Sequence, residues 1–313
     1  MRFSIIQKVS GQRISYRKSY KIKNIFGGVR MKKGLLKLAL GAMSILALAA
    51  CGNTSETSDS SAIDSAATTT TDKLQEIKDS GKLVVGTCAD YPPYEWHLVQ
   101  DGADKIIGFD IDIAQAIADE LGVELEVQDM DFDGLIPALS TGKIDMIIAD
   151  MNPTEERKQS VDFTDIYYTQ KDALVIKSED AKDIRSEDDL KKASLATQKA
   201  TIQEEYLLEN FPDAEIQSVP KLNTAILYLV TGKADAVLMV ETVARRYVEE
   251  NEGLEIADFD VASTPNESAI AVAKDSEGFL DAVNDILDEM EDSGKIEELI
   301  RTNIEIMDEN TGV

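Results

Sequence analysis

From residue 72 onward, short continuous apolar runs alternate with stretches in which apolar residues recur every three to four positions. Lys82-Leu83-Val84-Val85-Gly86 is such a run closed by glycine, the pattern of a buried strand. Ile113, Ile117 and Leu121 fall at i, i+4 and i+8 and predict a helix over 110–121, stopped by Gly122. Residues 123–127 read as the next strand, 133–141 as a short helix ended by Gly142, and 144–149 as another buried strand. Pro137 suits that helix only near its first turn, where the missing N–H is not needed. The alternation resumes with a strand over 173–177 and continues toward the C-terminus. Strand–helix–strand units of this kind predict an α/β fold with mostly parallel sheets.

One segment is echoed. LSTGKIDMIIA (139–149) and LVTGKADAVLM (229–239) match at a spacing of 90 residues. Each reads as a helix end, a glycine stop and a buried strand opening with Asp145 or Asp235. Reuse of a common joint would give the same echo. The functional alternative is two similar lobes, each with its own sheet. Ligands of open α/β sheets sit beyond the carboxyl ends of the strands, so two such edges face to face would make a cleft.

The N-terminal region breaks the pattern. Residues 1–50 hold eleven Lys or Arg and no Asp or Glu. Met31 opens a second, better start: Lys32, Lys33 and Lys37 precede an uncharged apolar run, Leu38 to Ala50. Thirteen residues cannot span about 30 Å of hydrocarbon but suit a signal segment. The run closes as Leu48-Ala49-Ala50-Cys51, which resembles a bacterial lipobox, whose cysteine is diacylated and becomes the mature N-terminus. A signal-anchor helix with an incidental cysteine is the alternative. Residues 51–71, rich in Ser, Thr and Ala, bury too little apolar surface to offset ordering entropy and read as a disordered tether. The layout predicts a protein lipid-anchored through Cys51 to the outer face of a bacterial cell membrane.

Charge and cysteine content narrow the function. The 263 residues after Ala50 hold 21 basic against 59 acidic side chains, a net charge of −38. Such a body repels phosphate backbones, which excludes nucleic acid as a partner. Two cysteines, Cys51 and Cys88, and one histidine, His97, offer no metal framework, and any Ser-His-Asp triad would hang on one residue. No cofactor or metal is expected. His97 reads as a surface loop residue and Cys88 as a buried strand-end residue with no redox role.

The segment Gly108-Phe109-Asp110-Ile111-Asp112-Ile113-Ala114-Gln115-Ala116-Ile117-Ala118 closely resembles the signature of the family 3 bacterial solute-binding proteins, the polar amino acid binding proteins. GTCADYPPYEW (86–96), FDGLIPAL (132–139), GKIDMIIADMNPTEERKQSVDFTDIYYT (142–169) and ATQKATIQEEY (196–206) read like the same family, in the same order. The resemblance covers 72–313. It implies a two-lobed periplasmic-binding-protein-like (type II) fold with two hinge strands. Lobe 1 would be 72–168 plus 268–313 and lobe 2 would be 172–263, with crossings near Tyr167–Gln170 and Thr264–Ser268. It also implies a substrate-binding lipoprotein of an amino acid ABC importer. Such a protein would be a monomer, partnered by permease subunits, that binds a free polar or cationic L-amino acid and does no chemistry on it.

The same resemblance assigns residues. Arg157 would grip the ligand α-carboxylate, a task that suits a guanidinium fork. Asn152 and Asp150 would touch its carboxylate and ammonium. Tyr91 and Phe132 would sandwich the side chain, and Gln198 would contact the ligand; Asp90 is a further candidate contact because it lies beside Tyr91. Thr201 and Ile202 fall on a loop that donates backbone N–H groups at a helix N-terminus, although Ala200 stands where the family has glycine. The family acid that pairs the ammonium falls at Val240; Glu241, one step later, is expected to take that role. Cys88 stands in place of a family aspartate, and Trp96 is expected at the rim or in packing. Two other classes fit the scaffold. A cyclohexadienyl dehydratase-like enzyme would need an acid such as Glu241 or Asp150 in the cleft. An extracytoplasmic sensor module would need a separate signalling partner, since no transmembrane or signalling segment follows Val313.

Overall fold

A computed structural model describes residues 72–310 apart from 101 and 264. The expected signal segment, Cys51 and the tether lie outside the described residues. The chain first lays down α1 (Lys73–Ser80), β1 (Lys82–Thr87), β2 (Asp90–Tyr91), β3 (Glu95–Gln100), β4 (Ala103–Ile107) and α2 (Phe109–Leu121). It continues with β5 (Glu124–Asp129), α3 (Phe132–Ser140), β6 (Met146–Ile147) and β7 (Val161–Gln170). A second series follows: β8 (Asp172–Lys177), β9 (Ser194–Gln198), α4 (Ile202–Asn210), β10 (Glu215–Val219), α5 (Leu222–Val230), β11 (Ala236–Val240), α6 (Glu241–Glu250) and β12 (Leu254–Ile256). β13 (Asn266–Ala273), α7 (Glu277–Asp292) and α8 (Lys295–Glu309) complete it.

Two five-stranded sheets result, ordered β5-β1-β6-β13-β7 and β10-β9-β11-β8-β12. Each has three parallel strands followed by antiparallel pairings. The sheets are therefore mixed rather than mostly parallel. The reason is the chain path: β7, β8 and β13 carry it between the sheets and so run against their neighbours. β7 ends at Gln170 and β8 begins at Asp172, which places one passage at Lys171. Gln170 pairs with Asn266, where β13 starts back.

The sequence echo has a structural cause. Gly142 and Gly232 close α3 and α5 with matching φ values of 71° and 72°. Asp145 then bonds Val84 twice, its N–H donating to the Val84 carbonyl at 2.7 Å and its Oδ2 accepting from the Val84 N–H at 2.8 Å. Asp235 repeats this on Ser194 at 2.7 and 2.8 Å. One carboxylate thus fixes the entry of the central strand in both sheets.

The helical stripe read from the sequence is the core face of α2: Ile113 and Ile117 are fully buried. Leu83 and Val85 of β1 meet them from the sheet, with Phe279 and Val283 of α7 in the same cluster. Two details differ from expectation. Pro137 lies in the second turn of α3 because the helix begins at Phe132, so the Asp133 carbonyl has no donor at i+4. A three-stranded sheet, β2-β3-β4, stands where no strand is expected. It takes up His97, which is a strand residue beside Asp104 at 3.0 Å rather than part of a loop.

Candidate ligand cleft

The site is built outward from Gly108. Its φ of 139° and ψ of 163° are essentially restricted to glycine. Any Cβ here would stand 1.9 Å from the Tyr94 carbonyl oxygen and 2.8 Å from the Glu95 Cα. This close approach lets α2 start against the Tyr94–Glu95 turn, with the Asp110 N–H donating to the Tyr94 carbonyl at 3.0 Å. Phe109 packs its ring 4.4 Å from that of Tyr94. Asp110 is fully buried, and a buried carboxylate must be bonded. It accepts from Tyr167 Oη at 2.8 and 3.0 Å and from the Asp150 N–H at 3.0 Å. Burial nevertheless pushes its pKa up to about 7.

Asp110 thereby holds the segment that follows β6. Asp150 sits at φ 48°, and its carboxylate accepts from Asn266 Nδ2 at 2.6 Å and from Ser268 Oγ. Burial, followed by the charge of Asp110, raises its pKa well above the carboxylate range, against the Ser268 and Asn266 bonds. Asn152 donates to Asn266 Oδ1 and to the Glu267 carbonyl at 3.1 Å. Both side chains are therefore committed to the start of β13, the returning hinge strand, while still lining the cleft.

Arg157, in a single turn of 3-10 helix after this segment, reaches across. Its guanidinium donates to the Asn152 carbonyl at 2.9 Å in one lobe and to the Ala200 carbonyl at 2.8 Å in the other. It also lies 5.3 Å over the Phe132 ring centroid. Burial lowers its pKa to about 10, so it stays cationic at neutral pH. From the second lobe, Thr201 caps α4: its Oγ1 accepts from the Glu204 N–H at 3.2 Å and donates to the Gln198 carbonyl at 2.7 Å. Ile202 opens that helix. Ala200 adopts φ 63°, the left-handed region that glycine takes at lower cost.

Other contacts cross the cleft. Asp90 Oδ2 accepts from the Leu222 N–H at the start of α5, at 2.5 Å, a favourable place for a carboxylate. Tyr247 Oη donates to the Asp90 carbonyl at 2.9 Å, and the Val240 N–H donates to Tyr91 Oη at 3.3 Å. Gln198 Nε2 donates to the Pro220 carbonyl at 3.2 Å and stands 3.4 Å from Cys88 Sγ. Lys221 pairs with Asp129 at 3.0 Å and Lys199 with Asp133 at 2.8 Å. Cys88 is buried just beyond β1, and burial pushes its thiol pKa up.

The lobes are shut on one another. Between Tyr91, Glu95, Phe132, Asp150, Asn152 and Gln198 they leave about 10 Å³, roughly the room of one water. Phe132 and Thr201 also line an adjoining groove of about 560 Å³, together with Arg157, Ile202, Glu204 and Glu205. Among the described residues no cluster of three or more His, Cys, Asp or Glu is placed to hold a metal ion, and no helix is long and apolar enough to cross a membrane.

Residues 83–305 match the profile of the bacterial extracellular solute-binding proteins, family 3. The chain belongs to this family. This solute-binding protein is 36% identical to the arginine-binding extracellular protein ArtP of Bacillus subtilis, over 86% of this chain and 96% of ArtP. It is similar to the crystal structure of the Streptococcus pneumoniae amino acid ABC transporter substrate-binding protein AbpA bound to L-arginine. That match has a TM-score of 0.72 and 36% identity, covering 74% of this chain and 98% of AbpA. A third relative is the ancestral amino acid-binding protein AncCDT-1, a precursor of cyclohexadienyl dehydratase. Its TM-score is 0.68 at 36% identity, over 74% of this chain and 99% of that one. The type II periplasmic-binding fold expected from the sequence is the fold of these neighbours, and the family is extracytoplasmic.

In the solute-binding protein, Tyr91, Phe132, Asp150, Asn152, Gln198 and Thr201 line one cavity, and Arg157 and Ile202 line the groove beside it. Asp90 lies behind them, on the α5 terminus. Glu241 is the correction. It is the first residue of α6, and its carboxylate is taken by Lys171 at 3.3 Å and by Arg245. The strand ends at Val240 and α6 begins at Glu241, which is not among the residues that line the cavity or the groove. Sequence reasoning missed Glu95, Asp110, Asn266, Ser268 and Lys221. Asp110 and Glu95 carried a local signal, standing inside the 108–118 and 86–96 segments.

Proposed function

We propose that this protein captures a free polar or cationic L-amino acid between its lobes and presents it to an amino acid ABC importer, without chemistry on the ligand. Arg157 carries the proposal. Its guanidinium stands where the lobes meet and donates to one backbone carbonyl on each side. A ligand carboxylate would exchange those neutral acceptors for a charged, bidentate one. A ligand held by both lobes binds the closed form better than the open form, so it shifts the population to closed. The permease subunits would read the closed shape, and a lipid on Cys51 would keep the protein at the membrane. The arginine-binding relatives make L-arginine the first ligand to test.

A thermal-shift panel of free amino acids on the purified protein tests this. At a hundredfold excess over Kd, binding stabilises by about 2.7 kcal/mol. The melting point should rise by roughly 5–11 °C for a domain of this size. Arg157→Ala should abolish the shift while the unliganded melting point changes by less than about 3 °C. Absence of a shift with every amino acid, or an undiminished shift in Arg157→Ala, refutes the proposal.

A second reading is enzymatic. It is favoured by the buried acids at the cavity, Asp150 and Glu95, whose burial raises their pKa above the ordinary carboxylate range, and by the dehydratase-precursor relative. It requires that prephenate be converted to product, and inertness toward prephenate removes it.

A further inference from the structure

With Glu241 held by Lys171 and Arg245, β11 of the second lobe brings no acid to the cavity. One strand over, an acid does stand. Asp172 opens β8 and pairs with Val240 across the β8–β11 ladder. It is 5% exposed, and such a carboxylate needs a donor. Its Oδ1 accepts from Gln203 Nε2 at 2.7 Å, the short distance of a bond to a charged acceptor. Its Oδ2 has no well-formed hydrogen bond among the described residues. Burial raises its pKa, opposed first by the Gln203 amide and then by the Ser263 hydroxyl. Gln203, in the first turn of α4, is itself buried and lines the cavity with Asp150 and Asn266. Its amide nitrogen is committed to the carboxylate behind it, so its carbonyl oxygen is the end left for a ligand. The charge of Asp172 is felt in the cavity wall: burial raises the pKa of Tyr91 and of Asp150, and Asp172 adds to both. No lysine or arginine lines the cavity among the described residues.

We propose that Asp172 is a positioning residue for the ligand's α-ammonium. By holding Gln203 Nε2 it presents the Gln203 carbonyl oxygen as the acceptor, and its own charge stands behind that amide. This rests on the amino-acid reading above and adds to it the pair of side chains by which the second lobe recognises the ammonium. A carboxylate–amide–ammonium chain binds more strongly than a lone amide, because each hydrogen bond polarises the next and the surroundings are poor in water. The first lobe's acids at this point have other work: Asp150 is taken by Asn266 and Ser268, and Asp90 by the Leu222 N–H. The placement also serves closure. Asp172 follows directly on the passage at Lys171, and Gln203 stands two residues after Thr201 on the loop that faces Arg157. An ammonium held by this pair is fastened to the strand that leaves the hinge. If Asp172 merely tied β8 to α4, its loss would weaken every ligand alike, whether or not the ligand carried an ammonium.

Titration calorimetry with L-arginine and 5-guanidinopentanoic acid, which is arginine without its α-ammonium, tests this. Where another amino acid gives the largest thermal shift, that amino acid and its deaminated acid take their place. The wild-type protein should bind the amino acid about tenfold or more tightly than the deaminated acid. Asp172→Asn keeps the size and removes the charge. It should weaken amino acid binding about tenfold and leave the deaminated acid within about twofold. Gln203→Leu should lose the same preference with Asp172 in place. The exchange variant Asp172→Asn with Gln203→Glu, which swaps carboxylate and amide, should restore it. An Asp172→Asn protein that keeps its preference, or that loses both ligands alike, overturns the inference. If that variant does not fold, Gln203→Leu and the exchange variant decide: an undiminished preference in the first, or none in the second, overturns it. These outcomes leave the amino-acid reading standing, whereas failure of every amino acid to bind removes both.

Discussion

Replacing Gly108 with alanine puts a methyl group where the backbone leaves no room. The new Cβ would lie 1.9 Å from the Tyr94 oxygen, 2.4 Å from the Tyr94 carbonyl carbon and 2.8 Å from the Glu95 Cα. All three are main-chain atoms in a tight turn, so no side chain can swing aside. The φ of 139° adds strain for any residue with a Cβ, about 1–3 kcal/mol. Relieving the overlap by displacing packed elements costs about 1–3 kcal/mol more. The sum, around 4 kcal/mol, should lower the melting temperature by roughly 8–16 °C. Because α2 must retreat from Tyr94 and Glu95, Asp110 moves with it, and ligand affinity should fall too. Gly134→Ala is the control. Nothing stands within 4 Å of the point on α3 where its Cβ would lie, and alanine in a helix interior should stabilise by about 0.5–1 kcal/mol. Both readings come from differential scanning calorimetry of the purified variants. If Gly108→Ala melts within about 3 °C of wild type, the close approach does not constrain the α2 entrance.

Stability should depend on pH through the buried acids. The folded protein holds a proton on Asp110 up to about pH 7, whereas an unfolded aspartate at its ordinary 3.8 has lost it. The stabilisation is therefore full below pH 3.8 and fades as pH rises toward 7; the difference is about 4 kcal/mol. The unliganded protein should melt higher at pH 5 than at pH 8, and Asp110→Asn should flatten that slope; a melting point that climbs from pH 5 to 8 contradicts it. Ala200→Gly should relieve the left-handed strain at the α4 entrance and raise stability by about 1 kcal/mol, measurable by denaturant unfolding and refuted by a loss of stability.

Local features were legible in the sequence, and distant pairings were not. The helix over 110–121 and the repeated Gly–Asp joint are written in adjacent residues, because a glycine stop and a strand-opening aspartate act within a few positions. Asp110 was visible as part of a signature, but its work depends on the Asp150 N–H and Tyr167, which lie 40 and 57 residues further on. Glu95 lay inside a recognised segment yet drew no attention, since its burial at the cavity is a property of the fold. Glu241 misled because strand alternation was carried one residue past the strand; at Val240 the chain leaves the sheet and begins α6. The β3–β4 hairpin escaped because its exposed half carries polar residues that mask the alternation.

The ion pairs that span the cleft have a consequence for where the protein can work. Lys199 and Asp133 are 53% and 32% exposed, and Lys221 and Asp129 are 26% and 30% exposed, so solvent ions reach both pairs. Their attraction fades as the Debye length shrinks from about 30 Å at 0.01 M salt to 3 Å at 1 M. The jaws are thus held shut more firmly in fresh water than in brine. If the lobes part and close as proposed, a saltier medium outside the cytoplasm should tilt the balance toward the parted form.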